Sequence, residues 1–341
     1  MAGTMRPIDT GGMTDSAWRT SGDGTPGRAM TMCLQAAIAA PSIHNSQPWL
    51  FRPHGIAVDV LVDPRRHLTA TDPDCREMYV SVGAAVLNLR LAVLASGRQP
   101  VVRLLPDPDR PDLAATVSVG PAVAVTPDVR ELADVIPRRQ TNRRPFGSTP
   151  IPPRILEKLA AAARAEGASL VVLERAIRTA VLGLTRSAEH RQRADFSYRT
   201  ELAEWTTPGR HRGDGVPPAA FGPRPELAAL PLRDFDLDHT TDRRVARFEA
   251  DPTIAVLYTA GDGMRDWLGA GQALERVLLT ATVYGLASTP MTQAIEVPQL
   301  RQLLDAPEEL STVQSIIRLG YAGRGPQTPR RPLADVLVSR P

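Results

Sequence analysis

Apolar residues recur at helical spacing twice in the first hundred positions, with strand-like runs between them. Over 28–40 (RAMTMCLQAAIAA) they predict a helix that Pro41 ends, since proline has no N–H for the next helical hydrogen bond. Two short strands follow at 50–52 and 56–62, joined by a hairpin at His54-Gly55. A longer helix over roughly 74–97 carries Met78, Val82, Ala85, Val86, Leu89 and Val93 on one period, and Gly97 stands where a C-cap belongs. Strands near 100–105 and 115–119 close this half of the pattern.

The stretch 137–150 (PRRQTNRRPFGSTP) has no period and is dense in Arg and Pro. Past it the pattern restarts, with a helix at 153–165, a strand at 169–173 and a helix from about 174 to 193. Residues 206–235 are too rich in Pro and Gly for regular structure. A loop of this length is read either as an active-site lid or as a disordered surface insertion. A buried strand at 253–259, a helix over about 264–284 and a strand at 313–319 then lead into an Arg-rich tail. Each half thus offers a helix, a short strand, a long helix and further strands, a likeness of pattern and not of identity. Residues 1–26 read as a disordered extension, within and just beyond which Met1, Met5, Met13, Met30 and Met32 leave the start codon open.

Length and composition narrow the class. A chain of 341 residues suits one large unit or two fused ones. Aromatic content of 4% against 43% hydrophobic means that the core rests on Leu, Val, Ile and Ala. Lys plus Arg number 40 against 37 Asp plus Glu, an excess that reads as solvated surface. No basic run is interleaved with aromatic stacking residues, so nucleic acid is a poor partner. Cys33 and Cys75 alone can build neither a disulfide framework nor a four-ligand zinc site. With no apolar leader and no run of roughly 18–20 apolar residues, the expected setting is the cytoplasm, away from membrane.

Four segments carry candidate chemistry. PSIHNSQPW (41–49) packs Ser42, His44, Asn45, Ser46 and Gln47 together, donors and acceptors that suit the edges of a planar heterocycle; the plain alternative is a helix-to-strand turn. RRQTNRR (138–144) sets four Arg around Gln140, Thr141 and Asn142, either a phosphate clamp or a solvated linker. GLASTPMTQ (285–293) is a small-residue turn where main chain could approach a flat ring. The tail holds Arg324, Arg330 and Arg331. Walker A, HExxH, CxxC and GxSxG signatures are absent, no GxGxxG follows a strand, and no two His share metal-pair spacing.

In order along the chain, PSxHNxQPW, GAAVLNLRLAVLASG (83–97), RRQTNR, GLASTPMTQ and GY…RRPL resemble the nitroreductase superfamily of FMN enzymes. More narrowly, about 28–335 resembles the actinobacterial Acg family of FMN-binding nitroreductase-like proteins. The resemblance implies an α+β, nitroreductase-like fold made of two fused protomer-like halves, 27–136 and 137–341, an intramolecular pseudo-dimer with a lid at 206–235. It implies one FMN per chain, since 152–174 has lost the PSxHNxQPW loop that a second site needs. Cofactor-binding residues carried over are Ser42, Asn45 and Gln47 from the first half. From the second come Arg139, Gln140, Thr141, Arg143, Pro290, Met291, Thr292, Arg330 and Arg331. The arginines suit the FMN phosphate, Gln140 and Thr141 the phosphate or ribityl hydroxyls, and Ser42, Asn45 and the 290–292 main chain the ring edge. No catalytic side chain and no metal ligand is assigned. The implied activity is hydride transfer from NAD(P)H through flavin N5 to a nitroaromatic or quinone-like small-molecule acceptor. The alternative is FMN sequestration under a closed lid. Further pairing into a homodimer of pseudo-dimers stays open.

Overall fold

The computed structural model describes residues 15–21, 25–206, 213–226, 230–305 and 311–339. Of the lid stretch, 207–212 and 227–229 lie outside them, as do residues 1–14 and 22–24 of the N-terminal stretch.

In chain order the first half runs α1 (Arg28–Ile38), β1 (Trp49–His54), β2 (Ala57–Val62), α2 (Arg76–Ala95), β3 (Arg98–Leu104), β4 (Leu113–Ala122) and α3 (Pro127–Val135). The second runs α4 (Pro153–Arg164), β5 (Ser169–Val172), α5 (Arg175–Ala194), α6 (Phe196–Thr206), β6 (Arg224–Pro225), β7 (Val245–Ala246), β8 (Thr253–Thr259), α7 (Met264–Val283), β9 (Ala287–Pro290), α8 (Pro298–Arg301) and β10 (Thr312–Gly320). Each half builds a four-stranded antiparallel sheet, ordered β1-β2-β4-β3 and β5-β8-β10-β9. The two orders are one topology: in each, a long helix follows the second strand and the next strand takes the far edge. The repeat that the sequence shows as pattern is therefore present as strand order.

The long helices α2 and α7 lie against each other at the centre. A Cβ on Gly83 would come within 2.2 Å of the Leu268 carbonyl oxygen, and one on Gly271 within 2.0 Å of that of Val80. Only glycine permits backbones this close. Apart from Arg90 and Leu94, all of α2 is buried, so a helix apolar enough to cross a membrane is here a core helix. That qualifies the reading of the sequence as lacking such a run.

Where they are described, the residues before α1 are packed. Trp18 is 1% exposed within the first core, and the Thr20 N–H donates to the Gly55 oxygen at 2.9 Å. The expectation of a disordered extension is corrected for residues 15–21, because an indole of that size buries enough apolar area to offset local chain entropy. At the other end, residues 336–338 bond to the first sheet: Phe51 N–H donates to the Val336 oxygen at 2.8 Å and accepts from Val338 N–H at 2.9 Å. The second half's tail thus completes the first half's edge strand.

Candidate functional site

Pro41 stops α1, and the loop that follows holds His44, Asn45 and Gln47 at φ of 49°, 55° and 51°. Three non-glycine residues in left-handed geometry within four positions store strain that the surroundings must offset. They do so locally: Gln47 N–H donates to Ser42 Oγ at 2.9 Å, and Ile43 N–H to Ser81 Oγ of α2 at 3.2 Å. Across the halves, Asn45 Nδ2 donates to the Gly215 and Pro329 oxygens at 2.9 and 3.0 Å, and Gln47 Nε2 to that of Gly213 at 2.7 Å. Asn45 Oδ1 accepts from Arg330 at 3.0 Å and Gln47 Oε1 from the Arg331 N–H at 2.9 Å.

This loop, α2, the 141–143 segment and β9 with its following turn enclose one cavity. Its walls include Ser42, His44, Glu77, Ser81, Thr141, Arg143, Arg233, Phe235, Thr289, Pro290, Met291 and Thr292. The 141–143 segment reaches it by pairing with β9: Asn142 N–H donates to the Ser288 oxygen at 2.9 Å, and Thr289 Oγ1 to the Asn142 oxygen at 2.6 Å.

Two groups of arginines stand here. Arg143 is half-buried, donates to the Ala220 oxygen at 3.0 Å and lies 4.5 Å above the Phe235 ring, with no carboxylate in ion-pair reach among the described residues. Burial, then the neighbouring Arg233 and Arg243, push it down to about 10, so it still carries its charge at neutral pH. Those two neighbours are paired, Arg233 with Glu296 and Arg243 with Asp234. In the second group, Arg139 faces the wholly buried Glu275 at 3.4 Å, and Arg330 is pushed down to about 9 by burial and by Arg139. Burial raises the Glu275 carboxyl to about 7 against the pull of Arg139 and Arg330. The Nε atoms of Arg139 and Arg330 are buried with no hydrogen-bond partner. One carboxylate between two cations, plus unmet donors, leaves net positive charge sealed from water, a donor set that fits a dianionic phosphate.

The sequence-expected residues divide. Ser42, Thr141, Arg143, Pro290, Met291 and Thr292 line the cavity. Arg139 and Arg330 converge beside Glu275. Asn45 and Gln47 do not line the cavity; their amides are spent on main chain of 213–215 and 329–331, so they position the arms around it. Gln140 lines a separate pocket with Arg138 and Arg324, because the extended chain at 140–141 alternates its side chains. Arg331 does not line the cavity; its largely covered guanidinium donates to the Asp335 oxygen at 2.6 Å and the Gln47 oxygen at 3.4 Å and stands 4.0 Å from Asp63. Sequence reasoning named His44 without giving it a role and missed Glu77, Arg233, Phe235 and Glu275. Of these, Glu77 and Glu275 left a signal, each a carboxylate among the buried apolar residues of a long helix.

A model described as the nitroreductase family matches residues 136–321. The Mycobacterium tuberculosis H37Rv protein named "Putative NAD(P)H nitroreductase acg" is 32% identical over 313 residues, covering 90% of this chain and 94% of its own. A second from the same strain, "Putative NAD(P)H nitroreductase Rv3131", is 34% identical over 315 residues, covering 89% of each. Among solved structures, the FMN-dependent nitroreductase NfnB of Mycobacterium smegmatis in complex with NADPH is similar at 18% identity and a TM-score of 0.37, over 61% of this chain and 97% of that one.

Proposed function

The chain belongs to the nitroreductase family, and from that premise we propose that it binds one FMN and acts as an NAD(P)H-dependent oxidoreductase on a small acceptor. The observation that carries this reading is the buried surplus of guanidinium charge: Arg139 and Arg330 share one carboxylate, and Arg143 has none among the described residues. Arg139 and Arg330 would hold the phosphate. Thr141, Arg143, Ser42 and the main chain at 290–292 would hold the rest of the cofactor along the cavity wall. Hydride acceptance and release come with the flavin; the chain binds it, orients it and keeps water away.

The site draws on both halves, as two fused protomers would require, with the 41–49 loop on one side and 139–143, β9 and 330 on the other.

A second reading, FMN storage, is favoured by how the segments after α6 are fastened. Gly213 and Gly215 are tied to the 41–49 loop, and Arg233 donates to Thr292 Oγ1 at 3.2 Å as well as pairing with Glu296. These contacts make the described parts of 206–235 a cover. Anaerobic addition of NADH or NADPH to the yellow protein separates the readings. Rapid loss of the oxidised-flavin band, restored by an acceptor, supports the reductase. A flavin that bleaches only with dithionite supports storage, and no uptake of FMN on soaking refutes both.

A further inference from the structure

His44 is the polar cavity-lining residue of the 41–49 motif that the cofactor reading leaves unused. Its side chain is 5% exposed, borders the cavity, and neither ring nitrogen has a hydrogen-bond partner. Burial, Arg233 and Arg143 hold it well below the usual histidine range, so it is a neutral imidazole with one N–H donor and one lone pair. Leaving both unmet in a desolvated site is costly, which points to an occupant that meets at least one. The ring is set edge-on to Phe235, with centroids 5.7 Å apart and planes at 82°. Phe235 is also a wall of a second, outer groove that includes Phe196, Leu202, Phe221 and Leu237. Phe235 therefore stands between cavity and groove, and His44 packs against it on the cavity side. Arg233 is held by Glu296, but Arg143 borders the same cavity with no carboxylate in ion-pair reach among the described residues, a local positive charge that favours an occupant gaining negative charge on oxygen as it is reduced.

We propose that His44 binds the electron acceptor, donating its imidazole N–H to a carbonyl oxygen of a quinone that enters past Phe235. This rests on the FMN reading of the same cavity. A quinone carbonyl is a better hydrogen-bond acceptor than a nitro oxygen, and its oxygen takes up charge that the Arg143 guanidinium offsets.

Menadione titrated into FMN-loaded protein without reductant, with the bound fraction read by equilibrium dialysis, tests it. His44→Phe is expected to weaken menadione binding about tenfold, roughly 1.4 kcal/mol, while keeping one FMN per chain. His44→Asn, which keeps a donor and an acceptor, is expected to retain most of the affinity. Equal affinity in parent and His44→Phe would overturn the proposal. So would FMN retention that falls while menadione binding holds, since the imidazole would then serve the flavin. A parent that takes up no FMN refutes the underlying reading instead, a result distinct from loaded protein indifferent to His44. Should His44→Phe not fold, nitrogen NMR of the parent imidazoles decides: menadione shifts the His44 ring signals, or leaves them in place and the proposal falls.

Discussion

Asn45 shows how a side chain can matter to a site without facing it. Its amide holds the Gly215 and Pro329 carbonyls and the Arg330 guanidinium at once. Asn45→Ala removes all three bonds and takes the Asn45 donor from the buried Gly215 carbonyl, while Arg330 and the Pro329 oxygen keep other partners, with an expected loss of about 1–3 kcal/mol in urea unfolding and faster release of FMN. Glu275 makes a prediction in pH. Its folded-state value of about 7 lies above the ordinary 4.5, so its contribution is fully present below about pH 4.5 and is lost as pH rises through 7. The stability of Glu275→Gln relative to the parent should therefore improve steadily across that window, whatever its starting offset, as read from melting temperatures at fixed ionic strength. A flat difference would remove Glu275 as a titrating group. At this scale the sequence was legible as membership more than as role. Ser42, Asn45 and Gln47 fall within one motif, yet which of them faces a cavity depends on left-handed turns at 44, 45 and 47 that no spacing rule reveals.

Among the elements, the crossing of α2 and α7 is the joint on which the rest hangs. Gly83→Ala and Gly271→Ala each drive a methyl into a carbonyl oxygen, and each is expected to cost several kcal/mol or to abolish folding. Gly269→Ala, on the same helix with nothing within 4 Å of its new methyl, should instead stabilise by roughly 0.5–1 kcal/mol. Denaturation midpoints of the three variants check both signs. The strand at 253–259 was readable because it is a continuous apolar run, and α2 because its apolar residues hold one period. Several short elements were not. α3 is only nine residues, with Ala133 and Val135 buried, and α6 buries only Tyr198 and Leu202 and carries no apolar stripe. β9 is four residues ending in Pro290, and it is a strand only because β10 pairs with it.

For the whole molecule, the two equivalent sheets and the single PSxHNxQPW loop lead to one expectation: FMN saturates at one per chain, by absorbance against protein concentration. Two per chain would mean that the 152–174 region supports a site of its own. Ending the chain after Thr328 removes Arg330 together with the Val336 and Val338 contacts to Phe51. It should weaken FMN binding more than tenfold and lower the melting temperature, since both a phosphate ligand and an edge of the first sheet are lost. The architecture of paired halves was visible in the sequence as a repeated order of elements. The way the 329–338 arm crosses from one half to the other was not, because main-chain bonds to Phe51 need no particular side chains.

The joining of the two sheets in one polypeptide has a consequence for how such a protein can change. In an assembly of identical subunits every mutation is made twice, once on each side of the axis, and a gain at one site is tied to whatever it does at the other. Here the two sides mutate independently. A loop with three left-handed non-glycine residues persists at 41–49, while the equivalent link between α4 and β5 is only the short turn 165–168, left-handed at Gly167 alone. The covering segments after α6 are built on one side alone. Asymmetry of this kind is open only to a molecule whose halves are inherited as separate stretches of one sequence.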